Sequence, residues 1–167
     1  MSTDPKSLER VAFYPGSFDP LTNGHKDIVE RALSIFDRVI IALAQNASKK
    51  PLFTLEERLS LVRETFPQLE VEVVIFDGLM VQAAVQHGAS AVVRGLRGVS
   101  DFEYEFQLAT MNKTLSPGLE TIFMMTEKHN FYVSSKLVRE VASLGGDVSE
   151  VVPPHIEAAL QRKFAAR

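Results

Sequence analysis

Short apolar runs rich in β-branched residues punctuate the chain at Val11–Tyr14, Arg38–Ala44, Val71–Phe76, Ser90–Arg94 and Thr121–Met125. Each is separated from the next by a segment long enough for a helix, and this alternation predicts a parallel sheet. The runs are nearly continuous, as in VIIALA and EVVIF, which is the pattern of strands covered by helices on both faces. The implied fold class is α/β, a doubly wound parallel sheet of five strands with right-handed crossovers.

Helix signals agree with the strand reading. Thr54-Leu55-Glu56-Glu57 and Ser100-Asp101-Phe102-Glu103 both fit a capping box, in which a hydroxyl and a later carboxylate satisfy each other's free backbone amides. The helix after Ser134 carries Leu137, Val138, Val141 and Leu144 at core spacing and stops at Gly145-Gly146, a natural left-handed terminus. A last helix follows Pro153-Pro154. No internal repeat or low-complexity tract interrupts the pattern, so residues 1–9 read as a polar extension and 10–167 as one domain.

Composition narrows the function classes. A chain of 167 residues suits one core, and 46% hydrophobic with 23% charged residues is an ordinary globular profile. A net charge of -3 argues against a broad nucleic-acid face. There is no cysteine, which excludes disulfides and thiol chemistry and suits a cytoplasmic location. No signal-like or membrane-length apolar run is present.

In an open α/β sheet, ligands sit beyond the carboxyl ends of the strands. The loops expected there are YPGSFDPLTNGH, QNASKKPLFT, FDGLM, RGLRGVSDFEYE and TEKHNFYVSSK. Neither the dinucleotide-binding glycine fingerprint nor a P-loop is among them. In the first, Gly16 and Gly24 leave room for a ligand, Thr22 or Asn23 can cap the following helix, and His25 falls in its first turn. A helix N-terminus favours an anion, and a histidine there adds a directed donor. Ser134 and Ser135 offer a second such helix end. Arg94, leaving a buried strand at the ligand edge, suits a bidentate phosphate clamp. His87, His129 and His155 lack metal-cluster spacing.

The segment PGSFDPLTNGH resembles the nucleotidylyltransferase signature (T/H)-x-G-H preceded by G-(S/T)-F-D-P. SKKPLFTLEERL, VVRGLR, DFEYEFQLATMN and the SSK at a helix start follow in the order and spacing of the bacterial phosphopantetheine adenylyltransferases, from Val11 to about Leu160. The resemblance implies a Rossmann-like fold that joins ATP and 4'-phosphopantetheine into dephospho-coenzyme A and pyrophosphate. Magnesium is the implied cofactor, a homohexamer the implied assembly, and coenzyme A an implied feedback inhibitor.

Carried over residue by residue, the resemblance makes His25 the transition-state donor to the α-phosphate. Ser17 touches both substrates, and Lys49, Met80 and Arg94 bind phosphopantetheine. Phe18, His25, Gly95, Leu96, Arg97 and Glu105 bind ATP, as do Asn130, Phe131, Tyr132, Val133, Ser134, Ser135 and Lys136. Chemistry alone does not separate Lys49 from Lys50. Spacing alone makes Glu105 a surface carboxylate, and Leu79 and Met80 read equally as core. Lys136 stands where relatives carry a third hydroxyl. The alternatives are another small nucleotidylyltransferase, acting on nicotinamide mononucleotide or glycerol phosphate, or a noncatalytic nucleotide sensor.

Overall fold

The computed structural model describes residues 9–45, 50–67, 71–130 and 132–165. Its elements run β1 (Val11–Gly16), α1 (Asn23–Leu33), β2 (Arg38–Ala44), α2 (Leu55–Thr65), β3 (Val71–Phe76) and α3 (Met80–Gln86). They continue with β4 (Ala91–Leu96), α4 (Val99–Leu115), β5 (Glu120–Met125), a 3₁₀ turn (Lys128–Asn130), α5 (Ser135–Ser143) and α6 (Pro154–Ala165). The five strands form one all-parallel sheet in the order β3-β2-β1-β4-β5, a Rossmann-like single domain. Among the described residues no helix is long and apolar enough to cross a membrane.

Alternation along the strands divides the core in two. Ala12, Tyr14, Val39, Ile41 and Val93 face one side, where they meet Ile28 and Val29 of α1, Val62 of α2, Val138 of α5 and Ile156 of α6. Phe13, Ile40, Ala42 and Val92 face the other, against Val81 and Ala84 of α3. Helix α4 packs on that second side, where Phe102 meets Phe123 of β5. The central strands are buried throughout, whereas β3 at the edge is only partly covered and Ile75 is exposed. Near-continuous apolarity in EVVIF therefore overstates the burial of a strand that has a single neighbour.

Local signals hold at most helix ends. Thr54 Oγ1 accepts from the Glu57 N–H at 3.2 Å while Glu57 Oε2 accepts from the Thr54 N–H at 2.7 Å, so α2 opens with the expected capping box. Thr54→Ala is expected to lower stability by about 1 kcal/mol, read as a lower urea midpoint at unchanged slope. Helix α5 ends as expected too: Gly145 has φ 77°, and the Gly146 and Gly145 amides return to the Val141 and Ala142 carbonyls.

Two helix expectations are corrected. Helix α4 starts at Val99 after Gly98, which places Ser100 inside the helix, so it is not the cap. The Arg97 guanidinium holds Asp101, the first-turn acid, at 2.9 Å and favours the earlier start. In α5, Val138 is buried and Val141 packs on the core, while Leu137 and Leu144 are exposed. A nine-residue helix at the sheet's margin has one neighbouring layer and cannot bury a wider stripe.

Candidate active site

The order β3-β2-β1-β4-β5 reverses direction between β1 and β4, the switch point at which doubly wound sheets open a crevice. Strand register opens it further. Pairing of β1 with β4 covers Ala12↔Ala91 and Phe13↔Val92, whereas pairing of β1 with β2 runs on to Gly16↔Leu43. The carboxyl ends of β1 and β4 thus separate, and a cleft of about 550 Å³ begins between them. The α1 and α5 N-termini and the start of α4 close its other walls.

His25 is half-buried in the first turn of α1. Thr22 is the N-cap: its Oγ1 accepts from the His25 N–H at 3.4 Å, and the Thr22 N–H donates to His25 Nδ1 at 2.9 Å. An Nδ1 that accepts a backbone N–H carries no proton, so the neutral ring is the Nε2–H tautomer. The imidazole lies edge-on to the Phe18 ring with centroids 5.2 Å apart, and Tyr14 stands 6.4 Å away. Burial first, then the charges of Arg97 and Arg94, pull its pKa down to about 4. At neutral pH His25 is a fixed, uncharged donor. Burial likewise pushes the Tyr14 hydroxyl well above its ordinary pKa, so it too stays protonated.

Phe18 is 2% exposed, with a left-handed backbone at φ 46°. Its ring packs edge-on against Tyr14 and His25, and Phe18 itself lies outside the cleft wall. A Cβ on Gly16 would sit 2.9 Å from that ring, so Gly16 makes room for Phe18 as well as for a ligand. The α1 helix end is more occupied than expected, because the Asn23 amide donates to the Val151 carbonyl.

Arg94 leaves β4 on the α4 side of the sheet and meets Glu105, which is 9% exposed. Nε donates to Oε2 at 2.8 Å and Nη2 to Oε1 at 2.6 Å, while Nη1 donates to the Pro15 carbonyl at 3.1 Å across the strand split. The surface reading of Glu105 is thereby overturned: the strand beside α4 buries its carboxylate on an arginine. Three of the five guanidinium N–H groups are engaged, and two remain for an anion. Burial opposes the charge on Arg94, and the Glu105 hydrogen bonds more than offset it.

Arg97 is held by Asp101 and donates to the Val133 carbonyl at 3.3 Å. Gly95, Val133, Ser134, Ser135 and Lys136 line the cleft with it. Ser134 caps α5 by accepting from the Leu137 N–H at 3.1 Å, and Ser135 Oγ donates to the Pro20 carbonyl at 2.8 Å. Both hydroxyls therefore serve as tethers. Ser17 is on the cleft wall. Leu96 is buried, and its carbonyl receives the Thr126 N–H. Met80 opens α3 against the second core, outside the cleft wall, and Leu79 beside it is exposed. Tyr132 is exposed. Lys49, Phe131 and the side chain of Asn130 lie outside the described residues.

Sequence reasoning passed over three residues. Arg58, 3% exposed, donates to the Ser17 carbonyl at 2.8 Å and to the Ala44 carbonyl at 3.2 Å. Arg139 lines the cleft and pairs with buried Asp19. One signal was available: Arg139 follows Ser135 by one helical turn and shares its face. Together Arg94, Arg97, Lys136 and Arg139 outnumber Asp101 and Glu105 on the wall.

A cation-rich cleft at the switch point, floored by a neutral imidazole donor, is built to hold and polarise phosphates. The model of the cytidylyltransferase-like family matches residues 13–141. Phosphopantetheine adenylyltransferases from Anaeromyxobacter dehalogenans (strain 2CP-C) and Methylococcus capsulatus are 55% and 54% identical to this chain, over 94% and 93% of it and 96% of each relative. A solved structure from Vibrio parahaemolyticus, provisionally named a nicotinate-nucleotide adenylyltransferase, matches 92% of this chain and 99% of its own with TM-score 0.65. At 19% identity it speaks to the fold. The chain belongs to the cytidylyltransferase-like family and, within it, to the phosphopantetheine adenylyltransferases.

Proposed function

We infer that the enzyme transfers AMP from ATP to 4'-phosphopantetheine. An oxygen of the acceptor phosphate attacks the ATP α-phosphorus in line, the new P–O–P bond gives dephospho-coenzyme A, and pyrophosphate leaves. The observation that carries this reading is the pairing of a fixed His25 Nε2–H donor with the two remaining N–H groups of Arg94 across one cleft. An acceptor phosphate is already anionic near pH 7, so the site needs donors and orientation more than a base. Arg94, with Lys49, holds the acceptor phosphate. Arg97, Lys136 and the α5 N-terminus take the triphosphate, and Ser17 stands between the two.

Asp101 and Glu105, the cleft's carboxylates, are committed to Arg97 and Arg94. With no carboxylate of the wall left over, magnesium would be held mainly by the phosphates of ATP and would supply charge neutralisation there. Incubation with ATP, magnesium and phosphopantetheine should yield dephospho-coenzyme A and pyrophosphate. Turnover with nicotinamide mononucleotide or glycerol phosphate instead would overturn the acceptor assignment. Coenzyme A, which contains the product, competes for the same cleft, and the reaction belongs in the cytoplasm.

Helix α4 turns Phe102, Tyr104, Phe106, Met111 and Leu115 outward, each about half exposed or more. Apolar side chains left exposed on two sides of one helix are surface that subunit contacts would cover, and they support the homohexamer as the working assembly. Phe106→Glu is expected to shift the sedimentation coefficient to that of a smaller species; an unchanged value would place the subunit contacts elsewhere.

A further inference from the structure

Asp19 is 2% exposed and lies outside the cleft wall, yet its carboxylate joins three separate segments. Oδ2 accepts from the Leu52 N–H and Oδ1 from the Phe53 N–H, both at 2.9 Å. Arg139 Nη1 donates to Oδ2 at 3.0 Å and also to the Asp19 carbonyl. The next residue, Pro20, receives Ser135 Oγ from the first turn of α5. The loop that carries the histidine motif is thereby fastened to the backbone just beyond Lys49 and to a cation on the nucleotide side of the cleft.

Stability is a weak reason for such an arrangement, because a buried ion pair is often no better than well-packed apolar residues of the same volume. Geometry is a stronger one. In-line transfer loses rate steeply when its two reactants are displaced by about an ångström, and Asp19 spans the walls that hold them. We propose that Asp19 is a positioning residue: it sets the direction of Arg139 into the cleft and fixes the separation of the nucleotide and acceptor walls. This rests on the transfer reaction described above.

The test is a double-mutant cycle of Asp19→Asn and Arg139→Gln, with ATP affinity read by calorimetry and the phosphopantetheine KM by steady-state kinetics. Asp19→Asn keeps the volume but removes the charge that faces Arg139 and sets an amide NH2 against a backbone N–H donor. It is expected to weaken ATP about tenfold in the native background and less than about twofold in Arg139→Gln, as contacting pairs couple. The acceptor KM should rise in both backgrounds. A purely structural role would lower the melting temperature and the apparent kcat while leaving KM and ATP affinity unchanged, and that result, or effects that simply multiply, would overturn the proposal. If Asp19→Asn does not fold, Arg139→Lys decides: it keeps the charge, but an ammonium bound to Asp19 has no second nitrogen to extend into the cleft, so wild-type ATP affinity in that variant would also overturn the proposal. The wild-type assay with phosphopantetheine separately exposes an error in the substrate assignment.

Discussion

His25→Ala is expected to lower kcat by roughly two to three orders of magnitude, the usual cost of removing one preorganised donor to a developing oxyanion, and to leave ATP affinity within a few-fold. The asymmetry follows from the imidazole's state. Thr22 fixes the ring with Nε2–H outward, and its neutrality means that it contributes little long-range attraction to the triphosphate of the ground state. Its hydrogen bond strengthens as charge accumulates on the α-phosphate oxygens, so the loss falls on kcat. Pyrophosphate release gives kcat, and calorimetry gives ATP affinity. A fall of kcat below about tenfold would remove His25 from the transition state.

The same substitution changes the pH dependence of stability. The folded protein protonates His25 only near pH 4, while an unfolded histidine does so near 6.5. Between these values the unfolded chain binds more protons, so stability rises with pH. This contribution is complete above about pH 6.5 and is lost as the pH falls toward 4. His25→Ala should flatten the melting temperature across that window.

Arg94→Met is expected to raise the phosphopantetheine KM by about thirtyfold or more, the scale of truncating one member of a buried charged hydrogen-bonding set. Two losses combine. The remaining guanidinium donors for the acceptor phosphate disappear, and Glu105 is left 9% exposed without its partner beside an incoming anion. The melting temperature should fall as well, since an unpaired buried carboxylate is costly. Adding Glu105→Gln separates the two effects: the double variant should regain stability without regaining acceptor affinity. Arg94→Lys should restore little, because a single ammonium cannot meet Glu105, the Pro15 carbonyl and a phosphate together. An acceptor KM within about twofold of wild type in Arg94→Met would place the acceptor phosphate elsewhere.

Much of the cleft was legible because its motifs lie at strand ends. The run AVVR announces an arginine leaving the sheet, and TNGH announces a histidine opening a helix. Both are local patterns, and the structure keeps them. Spacing alone misread Glu105 as a surface carboxylate for the same reason. On α4 it follows Phe102 and Tyr104, which are themselves exposed, so the helix carries no apolar stripe from which an inward face could be read. Its burial depends on Arg94, eleven positions earlier and on another element.

Asp19 and Arg139 show the limit most clearly. Inside GSFDP the aspartate reads as a turn residue, and inside LVREVASL the arginine reads as a solvated helical face. Their 120-residue separation leaves no periodic trace. The sequence by itself determined the five strands, most helix starts, the capping of α2 and the candidate donors, because periodicity and capping depend on neighbours a few residues apart. The tertiary structure alone decided that β1 and β4 part after Phe13 and Val92, that Glu105 turns inward and that Asp19 fastens three segments into one wall. Those outcomes depend on strand order and on buried charges finding partners across the sheet, which no local stretch of the chain encodes.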